Sequence, residues 1–375
     1  MSELDAGDEL DDHFNFILPL PYKLAVVIVL GIWLWGVNLH VLHHLHRIDV
    51  PALIRYKPRS DPPYLTVYRF ATALSAPVAA SLVLYKTTNS TYLLPNLTLI
   101  LFLALFVVPQ RFLYPKSIWP LTGRSTFLLT LRRISIGGLA KAEDGKFGDV
   151  LLADALTSYA RPLSELYIAL SMIWGGQSAT GRVDRSSIIV VPLLFAYPFA
   201  IRFRQCITDS QPYNALKYAT AFPTIALSTL MRLETDHFSH DSLFKFWLVA
   251  ALTNALYSFY WDVVRDWDLT LFSPSQRLSS EYPFGLRRYR LFEPYHYYGV
   301  IAIDLVLRFA WAFKLSPHLE HFYDIEGGIF LLELLEVFRR FLWVFLRVET
   351  EWVRTRFSSD VMLGDIGPRI DEDSD

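Results

Sequence analysis

Leu331-Leu-Glu333-Leu-Leu-Glu336-Val-Phe-Arg339-Arg340-Phe-Leu-Trp343-Val-Phe-Leu346 is long and apolar enough to lie in a bilayer, yet it carries two carboxylates and two guanidinium groups. An ionisable side chain at membrane depth is costly unless it faces a partner or a watery cavity. On a helix Glu336 and Arg340 are four apart and share a face, with Arg339 beside them, so a first partner is available on the same helix. Taken alone, this helix fits an internal ion pair that permits insertion as well as it fits a functional site.

The rest of the chain decides between them. Of its 375 residues 53% are hydrophobic and 15% aromatic against 19% charged, more apolar matter than a soluble core of this size needs. The reading is an all-α, polytopic integral membrane protein of nine to ten transmembrane helices. A net charge of −2 without a basic tract gives no reason to expect nucleic acid as a partner. Cys206 is the single cysteine, so an intrachain disulfide and a cysteine-built metal site are both excluded. Residues 1–19 open with Glu3, Asp5, Asp8, Glu9, Asp11 and Asp12, acidic where a secretory signal is basic, so the first apolar run is expected to remain as a helix. That start and the acidic tail, 358–375, are expected to be disordered.

Spans are read at Leu20–Val41, Tyr64–Tyr85 with Pro77, and Tyr92–Phe112 with Pro95 and Pro109. Ser125–Leu139, carrying Arg132 and Arg133, is either a surface-lying helix or a short tenth span. The N-terminal helices thus occupy 20–145 and a charged core 146–357. In that core, spans are read at Val150–Trp174, Ile188–Phe203, Asn214–Met231, Leu243–Val264, Tyr297–Leu315 and the opening stretch. The loop from Asp268 to Pro294, with Arg277, Arg287, Arg288 and Arg290, is basic and is expected on the cytosolic side.

Asp154, Lys217, Asp262, Asp266, Arg308, Glu336, Arg339 and Arg340 all fall within or at the rim of the last six spans. Charges of both signs spread over several helices are costly to assemble unless they line a shared polar path. A surplus of guanidinium points to an anion, which arginine's rigid fork binds bidentately. The carboxylates would neutralise the empty site and exchange with the arriving anion. The bland alternative for Asp262 and Asp266 is capping of a helix end near the interface. Trp311, one turn after Arg308, either narrows the path, stacks on a guanidinium or simply packs.

Trp261-Asp262-x-x-x-Asp266-Trp267, Leu307-Arg-Phe-Ala-Trp311, Leu335-Glu-Val-Phe-Arg-Arg-Phe-Leu-Trp343, Arg202-Phe-x-Gln-Cys206 and Gly148-Asp-x-x-Leu-Ala-Asp154 resemble, in order and spacing, the motifs of the EXS family of phosphate exporters. The resemblance implies a C-terminal six-helix EXS core bundle around an inorganic phosphate path. Its binding or gating roles would fall on Asp154, Lys217, Tyr218, Asp262, Asp266, Arg308, Trp311, Glu336, Arg339 and Arg340. It implies no cofactor and no metal. The SPX sensor domain of the long exporters is expected to be absent, and Ile207–Tyr213 shortens a basic loop of the family. The short form is similar to the fungal ER-retention-defective branch. That likeness implies a Golgi membrane, or alternatively an endoplasmic reticulum membrane. It also implies return of luminal phosphate from glycosylation to the cytosol, with links to retention of ER luminal proteins and to glycosyltransferase-sorting machinery. Oligomeric state is not readable.

Two rivals remain. A non-transporting sorting factor would use the helices only to present loops, but such a scaffold has no need of buried charge. A membrane di-iron oxygenase would use His40-x-x-His43-His44 with His46, and the pairs His237/His240 and His318/His321. Those pairs lack a third member, and histidine is at ease at the interface.

Overall fold

The computed structural model describes residues 13–56, 62–107, 121–176, 189–233, 239–276, 279–280, 282–310, 312 and 326–364. Trp311, Arg277, His237, His318, His321 and residues 1–12 and 365–375 lie outside them; of the two ends expected to be disordered, 13–17 is helical and 358–364 continues the last helix. All regular structure among the described residues is helical. The helices are α1 Leu20–His46, α2 Val50–Leu53, α3 Pro63–Thr88, α4 Leu93–Val107, α5 Leu121–Ser135, α6 Lys146–Ser158, α7 Ala160–Trp174, α8 Val190–Thr208, α9 Pro212–Ala219, α10 Ala221–Arg232, α11 His240–Trp261, α12 Pro294–Arg308 and α13 Glu326–Gly364. Among the described residues three are long and apolar enough to cross a membrane: α1, α3 and α8.

Prolines decide where helices break. The expected single spans at 150–174 and 214–231 are each two helices, α6–α7 and α9–α10. Pro162 offers no N–H to the carbonyl of Ser158, and Pro223 none to that of Ala219, and the ring of each crowds that same carbonyl. α6 ends at Ser158 and α9 at Ala219, four residues before each proline. Pro77 and Pro198, by contrast, are absorbed within α3 and α8. The stretch read as one span at Leu331–Leu346 is the middle of α13, 39 residues long. The doubtful Ser125–Leu139 is α5, whose 15 residues span about 22 Å, short of a hydrocarbon core of about 30 Å.

α1 packs against α3, α7 and α13, while α8 packs against α6, α7, α9 and α10. Where α1 crosses α7, the Tyr159 hydroxyl fills the space a β-carbon would take at Gly31, ideal Cβ to Oη only 1.7 Å. Any larger residue there would have to displace the Tyr159 ring. The end of α1, the loop after Trp267 and the second half of α13 share one apolar cluster that includes Leu42, Ile48, Trp267, Leu269, Trp343 and Val348. Glu349 holds it closed: its Oε1 accepts from the Leu291 N–H at 2.8 Å and the Tyr297 hydroxyl at 2.5 Å, and Arg287 approaches Oε2 at 3.0 Å. Both basic loops therefore sit at the same end of the molecule.

Candidate functional site

The helix interruptions deliver the charges. The break at Ser158 exposes Thr157 and Ser158, the break at Ala219 ends a turn carrying Lys217 and Tyr218, and α12 stops at Arg308. After α11 the chain widens into a π-turn, Asp262–Asp266, closed by the Trp267 N–H on the Asp262 carbonyl at 2.9 Å. Such bulges recur at functional sites, and here the wide turn presents Asp262 and Asp266 to the same ammonium group.

From these ends a network runs across five helices and the π-turn. On α8, Arg202 donates through Nε to Asp154 Oδ1 at 2.7 Å, and the Tyr218 hydroxyl donates to the same oxygen at 2.5 Å. Lys217 Nζ lies 2.9 Å from Asp262 Oδ1 and 3.1 Å from Asp266 Oδ2. Arg308 pairs with Asp262 Oδ2 and, at 3.1 Å, with Asp304 Oδ2. Arg339 donates to Asp304 Oδ1 at 2.9 Å and grips both oxygens of Glu336 at 2.8 and 2.7 Å. The Ser158 hydroxyl donates to Glu336 at 2.7 Å and accepts from Arg340 Nε at 2.9 Å, while Arg340 Nη2 reaches Thr157 Oγ1 at 3.0 Å. Asp262 is fully buried, and Asp154, Asp304 and Arg339 nearly so. Breaking one partner of such a buried pair strands the other at a cost of about 3–5 kcal/mol.

A polar cavity of about 1060 Å³ opens onto one end of this network. Asp154, Arg202, Cys206 and Asp266 line its inner part, and Lys146 and Arg354 its mouth. Groups of both signs that line such a cavity can exchange a partner for a small oxyanion.

Nine of the ten residues singled out in the sequence meet here; the tenth, Trp311, lies outside the described residues. Among the described residues Trp343 lies under Arg340, 4.6 Å to the ring centre, and Tyr218 under Arg202, 4.9 Å. Arg202, Asp304, Thr157 and Ser158 join the site without having been singled out. Asp304 had a local signal, four residues before Arg308; Arg202 finds its carboxylate 48 residues away, beyond any local pattern. Their inclusion corrects the surplus of guanidinium to a balance: Arg202, Lys217, Arg308, Arg339 and Arg340 face Asp154, Asp262, Asp266, Asp304 and Glu336. Capping also falls away as the reading of Asp262 and Asp266, since both bind Lys217.

The histidines at the end of α1 form an aromatic cluster. His40 stacks on Tyr64 at 4.2 Å and lies 3.2 Å from the Tyr68 hydroxyl. Among the described residues no three histidine, cysteine or acidic side chains are grouped to hold a metal ion.

Apolar helices interrupted around buried, paired charges define a helical membrane protein with a polar site inside its bundle. The EXS family model matches residues 18–353. The chain belongs to the EXS family. It is 32% identical over 359 residues to Protein ERD1 homolog 1 of Schizosaccharomyces pombe, covering 91% of this chain and 92% of that protein. It is 25% identical to Phosphate transporter PHO1 of Arabidopsis thaliana, over all of this chain but 48% of that one. With the Xenotropic and polytropic retrovirus receptor 1 homolog of Xenopus laevis the match is 30% over 55% of this chain and 32% of the relative.

Proposed function

We propose that the protein carries inorganic phosphate across a Golgi membrane, returning to the cytosol the phosphate that glycosylation releases in the lumen. One observation carries this reading: charges of both signs on separate interrupted helices meet in a single network that a cavity of about 1060 Å³ reaches. Discontinuous helices whose ends face a midplane site are a recurrent transporter device. The phosphate transporter among the relatives supports the choice of anion. Phosphate would contact Lys217, Arg308, Arg339 and Arg340, with Tyr218 and Asp154 beside them and the carboxylates as exchange partners. Trp311 keeps its proposed gating role from the family resemblance.

The basic end, with Arg47, Arg55, Arg287, Arg288 and Arg354, faces the cytosol in this reading. Two cytosolic loops require an even number of crossings between them, which leaves α5 as the segment that does not cross and gives nine spans. Residues 20–145 then form the N-terminal helices and 146–357 the core. Retention of ER luminal proteins and glycosyltransferase sorting follow from phosphate return.

Vesicles reconstituted with the protein and loaded with labelled phosphate test the reading. Efflux well above that of empty vesicles, abolished by Arg340→Ala, is the expected result; efflux equal to empty vesicles favours the sorting factor.

A further inference from the structure

The charges of the site cancel. Among the described residues it is made of five cations and five carboxylates, with Arg340 held by the Ser158 and Thr157 hydroxyls rather than by a carboxylate, so an entering anion leaves the network one negative charge in excess. An uncompensated charge in a buried network is strongly disfavoured, and losing one carboxylate charge is the way to remove it.

The five carboxylates are not equally committed. Asp262 and Asp304 each meet a different cation on each oxygen. Glu336 is gripped by both ends of the Arg339 fork and by Ser158. Asp154 takes Arg202 and Tyr218. Asp266 has a single ion pair among the described residues, to Lys217 at 3.1 Å, and Lys217 is already bound more closely by Asp262. Its side chain is 16% exposed and lines the polar cavity, so protons in water reach it. The charged groups around it are Lys217 on α9, Asp262 on its own turn, Asp154 on α6 and Arg347 on α13, with Cys206 of α8 also on the cavity wall.

We propose that the protein is a proton-coupled carrier: one proton binds Asp266 as one monovalent phosphate enters, so that each turnover moves no net charge. The proton comes from water onto a carboxylate oxygen of Asp266. That releases one positive charge of Lys217, which a phosphate oxygen takes up, and on exit both leave together. The inference rests on the phosphate-transport reading above.

Labelled phosphate uptake into reconstituted vesicles, at equal acidic pH on both sides so that the monovalent ion dominates, is measured under a potassium diffusion potential set with valinomycin. A potential that would change a one-charge flux tenfold is about 60 mV, from ~2.3 kcal/mol per charge per 100 mV. The wild type is expected to show the same initial rate with and without it, and Asp266→Asn a slower rate that follows it. Wild-type flux that follows the potential overturns the proposal, as does an Asp266→Asn flux indifferent to it. Should Asp266→Asn carry no flux, a pH dye trapped in wild-type vesicles decides. One proton entering per phosphate, beyond those the ion itself carries, supports coupling, and none overturns it. Absence of wild-type flux overturns the transport reading itself, and this inference with it.

Discussion

Buried ion pairs in two parts of the molecule are built differently. Near the start of α1, Lys23 is 2% exposed and bonds Asn15 at 2.7 Å and Glu326 at 3.0 Å, tying α1 to the first turn of α13. In the candidate site Lys217, Arg308 and Arg339 are each shared between two carboxylates. A closed pair such as Lys23–Glu326 locks helices together, whereas a shared network can trade one partner for another. The same residue types thus serve as a rivet at one end and an exchangeable site at the other.

Arg339→Ala should give the largest effect. It takes from Glu336 its one cation and leaves Asp304 with Arg308 alone, so the variant is expected to lose about 3–5 kcal/mol of stability and all phosphate flux, read by thermal unfolding in detergent and by vesicle efflux. Lys23→Ala should lose a similar ~3–5 kcal/mol in the same unfolding assay, while flux per folded molecule stays at the wild-type rate. Loss of flux in Lys23→Ala without loss of stability would erase the distinction between the two regions.

Smaller effects sharpen the comparison. Pro223→Ala restores the N–H that closes the break after Ala219, a change worth up to ~3 kcal/mol in a helix interior. The thermal midpoint should not fall, while flux drops by about tenfold or more, the effect of ~1.4 kcal/mol on the barrier, because Lys217 and Tyr218 are turned from their carboxylates. Ser158→Ala removes hydroxyl contacts to Glu336 and Arg340, each of the kind worth about 1.5–3 kcal/mol to a charged group. Its expected result is a several-fold weaker apparent affinity for phosphate in the efflux assay, together with a lowered unfolding midpoint.

The all-helical fold and eight charged members of the network were legible because apolar runs and intramembrane charges are local signals, while Tyr218 came from the family resemblance alone. The interruptions at Ser158 and Ala219 were not read, although Pro162 and Pro223 stand in plain sight. A proline inside an apolar run is compatible with a continuous helix, as Pro77 and Pro198 demonstrate, and packing decides which outcome holds. Arg202 escaped for a different reason. It sits at the edge of its apolar run and resembles an interfacial anchor until α6 brings Asp154 to it. The balance of charge depends on that contact, and with it the case for a coupled proton.

Equilibrium binding of labelled inorganic phosphate to the purified protein tests the central claim most directly, with Arg308→Gln as the comparison. One saturable site per chain, lost in Arg308→Gln while the variant still unfolds cooperatively, is the result predicted here. No saturable binding to the wild type, or equal binding to both proteins, would contradict it.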